Sequence, residues 1–369
     1  MILQWPVKFN IDHLTIGIMI KEVTNDTIQA DDSAALLELA KRHYRGDGVP
    51  LDYKEAFRLF SLAAELGDPV AQCRVGMMYE DGEGVEWDFS EAFRWYERAA
   101  LQGNPDAQCL LAICYQLSAG VEKNLAEAVK WFRLSADLDN DVAQWLLGVA
   151  YEEGAGVAQD LAEAAKWYRQ AAAQGSEDAL ESLYDLGARY FEGDGVSQDS
   201  EDAFLLFSAS ASHGYAKAQY SLGGMYEHGE GIERDLPEAV KWYRLAAEQG
   251  DACAQNNLGM MYSEGEGVPQ DFEEALKWTG LAAAQDHAYA QYNLGCFYED
   301  GKVVAQDYAE AAKWYALAAA QGNSDAQCRL GILYRDGLGV EQDEAEAVKL
   351  FLLSADQDNE DAQSILDSM

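Results

Sequence analysis

Residues 143 to 157 decide the fold: Ala143-Gln144-Trp145-Leu146-Leu147-Gly148-Val149-Ala150-Tyr151-Glu152-Glu153-Gly154-Ala155-Gly156-Val157. Asp160 comes next, and then Glu163-Ala164-Ala165-Lys166-Trp167-Tyr168 with Gly175 closing the unit. The segment reads as two helices and two turns. Leu147 and Tyr151, four residues apart, share one helical face with the small Gly148 between them. Glycine inside a helix costs about 1 kcal/mol relative to alanine, so a packing reason is expected, namely a groove for a neighbouring backbone. Gly154 stands where a left-handed residue closes a helix C-terminus. Asp160 and Glu163 have capping-box spacing, which assigns each carboxylate an orphan amide at the start of the second helix. The apolar residues that follow recur at helical spacing, and paired alanines permit close helix contact.

Outward from this copy the dipeptide Ala-Gln recurs. It stands at 71, 107 and 143 and again at 218, 254, 290, 326 and 362, always 36 residues apart except for the 75 between 143 and 218. A divergent first copy starts near Ala35. The result is nine copies, starting near 35, 71, 107, 143, 179, 218, 254, 290 and 326, with part of a tenth from 362. The caps recur with them, as in Asp88/Glu91, Asp235/Glu238 and Asp307/Glu310. Ala40 and Ala112 take the Gly148 slot in two copies, which points to a limit on size. One helix pair cannot bury both its faces, whereas stacked pairs can, so an all-α solenoid over residues 33–369 is expected. Trp95, Trp167, Trp242 and Trp314 of the second helices are assigned to its core. Residues 1–32 form an N-terminal segment whose role the pattern does not reach.

The pattern Ala-Gln, Leu-Gly-x-x-Tyr, Gly-x-Gly-Val, Asp, Glu-Ala-x-Lys-Trp-Tyr, Ala-Ala-x-Gln-Gly at a 36-residue period resembles the Sel-one-like repeat family, relatives of tetratricopeptide repeats. The resemblance covers about nine tenths of the chain. It implies a right-handed α/α superhelix that serves as a scaffold or adaptor for protein complexes. Three departures stand out. Ser118 replaces the first turn glycine of the third copy, and Val303 the second of the eighth. The fifth copy carries three extra residues around Ser182–Asp185, expected to change the angle between copies four and five and to mark a division of the rod there.

Composition narrows the function. Net charge is −39, which disfavours phosphate backbones and anionic lipid surfaces, so no nucleic-acid or membrane partner is expected. A basic protein or peptide partner is compatible. No run of about 18 apolar residues is present, and residues 1–32 lack a basic leader and a convincing cleavage site, so a cytoplasmic location is expected. The six cysteines, at 73, 109, 114, 253, 296 and 328, suit free thiols in a reducing compartment. The five histidines are scattered, and no His-Glu-x-x-His, Cys-x-x-Cys or phosphate-binding lysine loop occurs. No catalytic, cofactor-binding or metal-binding residue is therefore assigned.

If the pairs stack as in tetratricopeptide proteins, the first helices line a concave face. The slot two residues after the starting alanine then holds Trp145, Tyr184, Tyr220, Asn256 and Tyr292, with Glu152, Glu227 and Glu299 further along the same stripe. Aromatics beside carboxylates suit a basic or amphipathic peptide. The plain alternative is that these rings merely cover neighbouring helices and the acids are solvated. The expected function is a non-catalytic scaffold. A secreted or translocated host-interaction factor using the same groove is the alternative. A β-lactamase-like hydrolase is weaker, since no serine has a lysine three residues on.

Overall fold

The computed structural model describes residues 33–369, and the N-terminal segment 1–32 lies outside the described residues. Among the described residues there are nineteen helices and no strand, which meets the all-α expectation. They fall into two compact units that meet in sequence at Asn140/Asp141. The first holds α1 (Ser33–Arg45), α2 (Tyr53–Glu65), α3 (Pro69–Asp81), α4 (Phe89–Leu101), α5 (Pro105–Leu117) and α6 (Leu125–Ala136). The second begins with α7 (Asp141–Glu153), α8 (Leu161–Ala173), α9 (Glu177–Glu192), α10 (Ser200–Ser212), α11 (Ala216–His228) and α12 (Leu236–Glu248). It continues through α13 (Ala252–Glu264), α14 (Phe272–Ala284), α15 (Ala288–Asp300) and α16 (Tyr308–Ala320) to α17 (Ser324–Asp336), α18 (Glu344–Ala355) and α19 (Glu360–Ser368). Within each unit every helix packs on the next one in sequence.

The caps follow from the residue types. Asp160 accepts the amides of Ala162 and Glu163, as Asp52 accepts those of Lys54 and Glu55. The reciprocal arm of the capping box is absent. The Asp160 amide is already satisfied by the Tyr151 carbonyl at 2.9 Å, so Glu163 turns to Lys166 one turn along. The same switch gives Glu238–Lys241 at 2.5 Å and Glu310–Lys313 at 2.6 Å. These exposed pairs are screened by solvent, so they support the helix without deciding the fold. Ser118 adopts the left-handed φ of 63° that glycine takes in other copies.

The small slot has a different cause from the one expected. A Cβ on Gly148 would lie 2.5 Å from the Tyr168 ring, and on Gly223 2.7 Å from the Tyr243 ring. The groove therefore holds a ring from the second helix of the same repeat rather than a backbone. In the second repeat the Ala92 carbonyl also comes within 3.2 Å of a Cβ on Gly76, and in the seventh, where Thr279 replaces the ring, backbone comes nearest, with the Thr279 nitrogen at 2.9 Å from the equivalent point on Gly259.

The core assignment of the tryptophans also needs correction. Tyr96, Tyr168, Tyr243 and Tyr315, one residue further on, are at most 1% exposed. Trp167 is buried, but Trp95, Trp242 and Trp314 are half-buried. Part of each of these rings stays open to solvent, but the covered part of Trp242 and Trp314 includes the indole N–H, which is buried without a partner. Arg98 lies over the Trp95 ring at 4.6 Å.

The three extra residues of the fifth repeat lengthen α9 to 16 residues against 13 for α7 and α11. Ala179, Leu183 and Leu186 are all fully buried, at the i, i+4, i+7 spacing of one stripe. Nearly one extra turn keeps the apolar face in register, which is why the helix absorbs the insertion. The boundary between compact units falls a full repeat earlier.

Candidate functional site: the first-helix face and its cavity

Two buried side chains explain the Ala-Gln signature. Gln72 donates to the Ala64 carbonyl of the preceding repeat at 3.1 Å and accepts from Gln102 of its own second helix at 2.7 Å. The pair recurs as Gln219/Gln249, Gln255/Gln285, Gln291/Gln321 and Gln327/Gln357. In the third repeat Leu138 stands in the second glutamine's place, and the Gln108 side-chain oxygen is buried without a partner. In the first repeat both places are leucine, Leu36 and Leu66. The second glutamine was visible as part of the Gln-Gly ending but carried no assigned role.

The carboxylates assigned to the groove have structural partners. Glu152 accepts the Tyr168 hydroxyl at 2.6 Å, Glu227 accepts that of Tyr243 at 2.6 Å, and Glu299 accepts that of Tyr315. Glu80 and Tyr96 form the same bond at 2.5 Å. The five other repeats have neither member: Phe60, Phe132, Phe207, Thr279 and Phe351 face Tyr44, Gln116, Phe191, Ser263 and Arg335. Glutamate is present in the four repeats where a tyrosine hydroxyl fills the slot and absent from the other five, where the buried Thr279 hydroxyl is left without a partner. Burial and the neighbouring carboxylate raise the Tyr168 and Tyr243 hydroxyls far above the usual phenol range.

The aromatics of the face are half-buried. Trp145 donates its indole N–H to Ser182 Oγ of the next repeat at 3.0 Å. The Tyr184 ring lies 5.5 Å from Phe207, Tyr220 5.7 Å from Tyr243, and Tyr292 5.8 Å from Tyr315. Asn256 is buried and accepts from Asn293 at 2.9 Å. The slot thus presents one side chain per repeat along the second unit. Tyr184 and Tyr220 meet in a single cavity of about 350 Å³, which Trp145, Asn256 and Tyr292 do not line. Phe191, Gly224 and Asn257 belong to the same cavity and had not been singled out. A wider hollow of about 540 Å³ over α19 is shallow and lined mainly by polar and charged residues such as Asp358 and Asp367.

One pairing resembles a nucleophile and its base. Cys253 Sγ lies 3.5 Å from His287 Nε2. His287 caps α15, where its Nδ1 accepts the Ala290 amide at 3.2 Å. That leaves the proton on Nε2, which faces sulfur as a donor and cannot take a proton from it. Burial raises the Cys253 thiol, helped by Asp251, and lowers His287. Both shifts favour neutral forms, the opposite of an activated pair. Asn140–Asp106 and Asn359–Asp325 occupy the same two places in other repeats, so the contact belongs to the cap. Burial pushes the Cys73 and Cys114 thiols up to about 12. None of the six cysteines is in a disulfide, and no group of three metal-binding side chains gathers among the described residues.

These features define a helical-repeat protein whose recurring side-chain contacts tie the two helices of a repeat together and join one repeat to the next. The family comparison is specific. Sel1 repeats match at residues 33–68, 69–104, 105–140, 141–176, 180–215, 216–251, 254–287, 288–323 and 324–359, and the chain belongs to the Sel1 repeat family. A protective antigen present in uropathogenic Escherichia coli strains and displaying an SLR fold is 31% identical, over 91% of this chain and 81% of its own, with a TM-score of 0.60. A Sel1 repeat protein from Oxalobacter formigenes is 30% identical over 95% of this chain and 97% of its own, with a TM-score of 0.59. No curated protein matches the sequence. Among the described residues no helix is long and apolar enough to cross a membrane.

Proposed function

We propose that the chain is a non-catalytic scaffold that holds a protein partner along the first-helix face of its second unit. The observation that carries this is the row of half-buried aromatics, Trp145, Tyr184, Tyr220 and Tyr292, presented one per repeat. Each leaves part of a large apolar side chain open to solvent beside groups that can hydrogen-bond, which is the composition of an interface anchor. Asn256 continues the row as a buried polar member. Glu152, Glu227 and Glu299 support the site by fixing the second helices behind it, and their half-exposed carboxylates add negative charge to the face. The net charge of −39 favours a basic partner segment, in the cytoplasm of the producing cell.

Replacing Trp145, Tyr220 and Tyr292 together by alanine tests the proposal. The variant is expected to keep its helicity and to lose capture of the native partner in affinity purification. Undiminished capture by a folded variant sinks it. A second reading, a host-interaction factor acting outside the producing cell, rests on the likeness to the uropathogenic Escherichia coli antigen. Recovery of the protein from culture medium of intact cells would favour it.

A further inference from the structure

We infer that the cavity between the fifth, sixth and seventh repeats is an arginine-binding pocket, filled by a guanidinium that a basic partner supplies. The inference rests on the scaffold reading above and names the chemistry of what that face takes.

The cavity exists because two neighbouring side chains are small. Six residues after the starting alanine, other repeats carry Met77, Ile113, Val149, Met260, Cys296 and Ile332. Counting the three extra residues, the fifth repeat has Ala188 at this place and the sixth has Gly224, and both line the opening. A Cβ on Gly224 would meet only the Tyr243 hydroxyl, at 3.6 Å, so open space lies in front of it. The walls are the rings of Tyr184, Phe191, Phe207, Tyr220 and Tyr243. Exposed Glu192 and Glu230 stand at the rim, and no lysine or arginine lines it.

The chain itself shows what such a place accepts. Two periods further on, Tyr220, Glu227, Tyr243 and Asn257 become Tyr292, Glu299, Tyr315 and Arg329. There the Arg329 guanidinium lies 3.8 Å from Glu299, beside the two tyrosines. In the second repeat the same slot is Arg74, whose guanidinium sits 5.4 Å from the centre of the Tyr44 ring. In the sixth and seventh repeats the slot is Ser221 and Asn257, so the rings are present without an arginine or lysine from the chain; Glu227 holds the Tyr243 hydroxyl behind the cavity, and Glu192, Glu230 and His228 line it. A planar, weakly hydrated guanidinium stacks on rings and forks onto carboxylates, whereas an ammonium is a strongly hydrated point charge. Rings and acids together therefore select arginine over lysine.

The test is direct binding, at physiological salt, of a short arginine homopolymer peptide and a lysine homopolymer of the same length to the full chain. Two variants close the pocket. Gly224→Met installs the side chain that the second and seventh repeats already carry at that place, and Asn257→Arg supplies the guanidinium from within, as Arg329 does. The arginine peptide is expected to bind more tightly than the lysine peptide and to weaken by about tenfold in each variant, with the lysine peptide barely changed by Gly224→Met. Equal binding of the two peptides, or no loss in a folded Gly224→Met variant, overturns the pocket and leaves mere attraction to an acidic surface. So does absence of binding to the unaltered chain. Full capture of the native partner by Gly224→Met, combined with loss in the triple alanine variant, would remove this inference while the scaffold reading stands.

Discussion

The Tyr168 hydroxyl donates to the Glu152 carboxylate across 2.6 Å, and Arg189 of the next repeat reaches the other oxygen of the same group, also at 2.6 Å. One carboxylate thus ties the two helices of its own repeat together and joins them to the following one. A hydrogen bond to a charged group is worth about 1.5–3 kcal/mol, and removing the acceptor leaves a buried hydroxyl unmatched. Glu152→Ala is expected to destabilise the protein by about 2–3 kcal/mol in chemical denaturation. Installing the pair where it is missing, Phe132→Tyr with Gln116→Glu, should show a favourable coupling of about 1 kcal/mol in a double-mutant cycle. Additive single effects would refute the pairing rule.

The orphaned oxygen of Gln108 makes an exposed leucine the weak point of the third repeat. Leu138→Gln restores the partner that Gln102 offers Gln72, and the expected gain is about 1 kcal/mol. The reverse change, Gln102→Leu, should cost about 1–3 kcal/mol by orphaning Gln72. Melting curves of the two variants moving in the same direction would contradict this account.

Adjacent glycines in the sixth repeat should respond oppositely to the same substitution. Gly223→Ala drives a Cβ into the Tyr243 ring at 2.7 Å and should cost about 1–3 kcal/mol. Gly224→Ala meets open space inside a helix and should gain about 0.5–1 kcal/mol. Thermal denaturation of the two single variants settles the matter.

Alkaline unfolding should follow the buried tyrosines. Burial, with the neighbouring glutamate, raises Tyr168 and Tyr243 well above the ordinary phenol value of 10.0. A folded-state value above the unfolded one means the contribution is complete below about pH 10 and fades as pH climbs past it. Tyrosinate absorbance should therefore rise in two steps. The later step belongs to the buried rings of Tyr168 and Tyr243, which ionise only together with loss of helicity. A single step completed before any loss of helix would refute it.

The period, turns and caps are legible in the sequence because they depend on residues within one turn of each other. Ser118 is identifiable as a departure by alignment alone, and its left-handed backbone confirms which glycine it replaces. Contacts between helices are harder to read. Gly148 shows that something close must pass, but neither composition nor spacing distinguishes a ring from a backbone. Glu152 looks like a solvated acid at a helix end, and only the distance to Tyr168, 16 residues on, reveals its partner. That signal was present in the alternation of Tyr/Glu with Phe or Thr between repeats. The cavity is written in Ala188 and Gly224, yet it becomes apparent only once the three-residue insertion in α9 has been brought into register. The boundary at Asn140/Asp141 has no counterpart in the pattern.

The amide relay also makes the repeats interchangeable parts with a defined coupling. Because Gln255 docks on Ala247 as Gln291 docks on Ala283, excising one whole period between them presents the next repeat with the same socket. Shortening or lengthening the array by whole 36-residue periods is a change of reach, whereas a cut of another length needs a helix that takes up the difference, as α9 does, or it leaves a plug facing the wrong outlet.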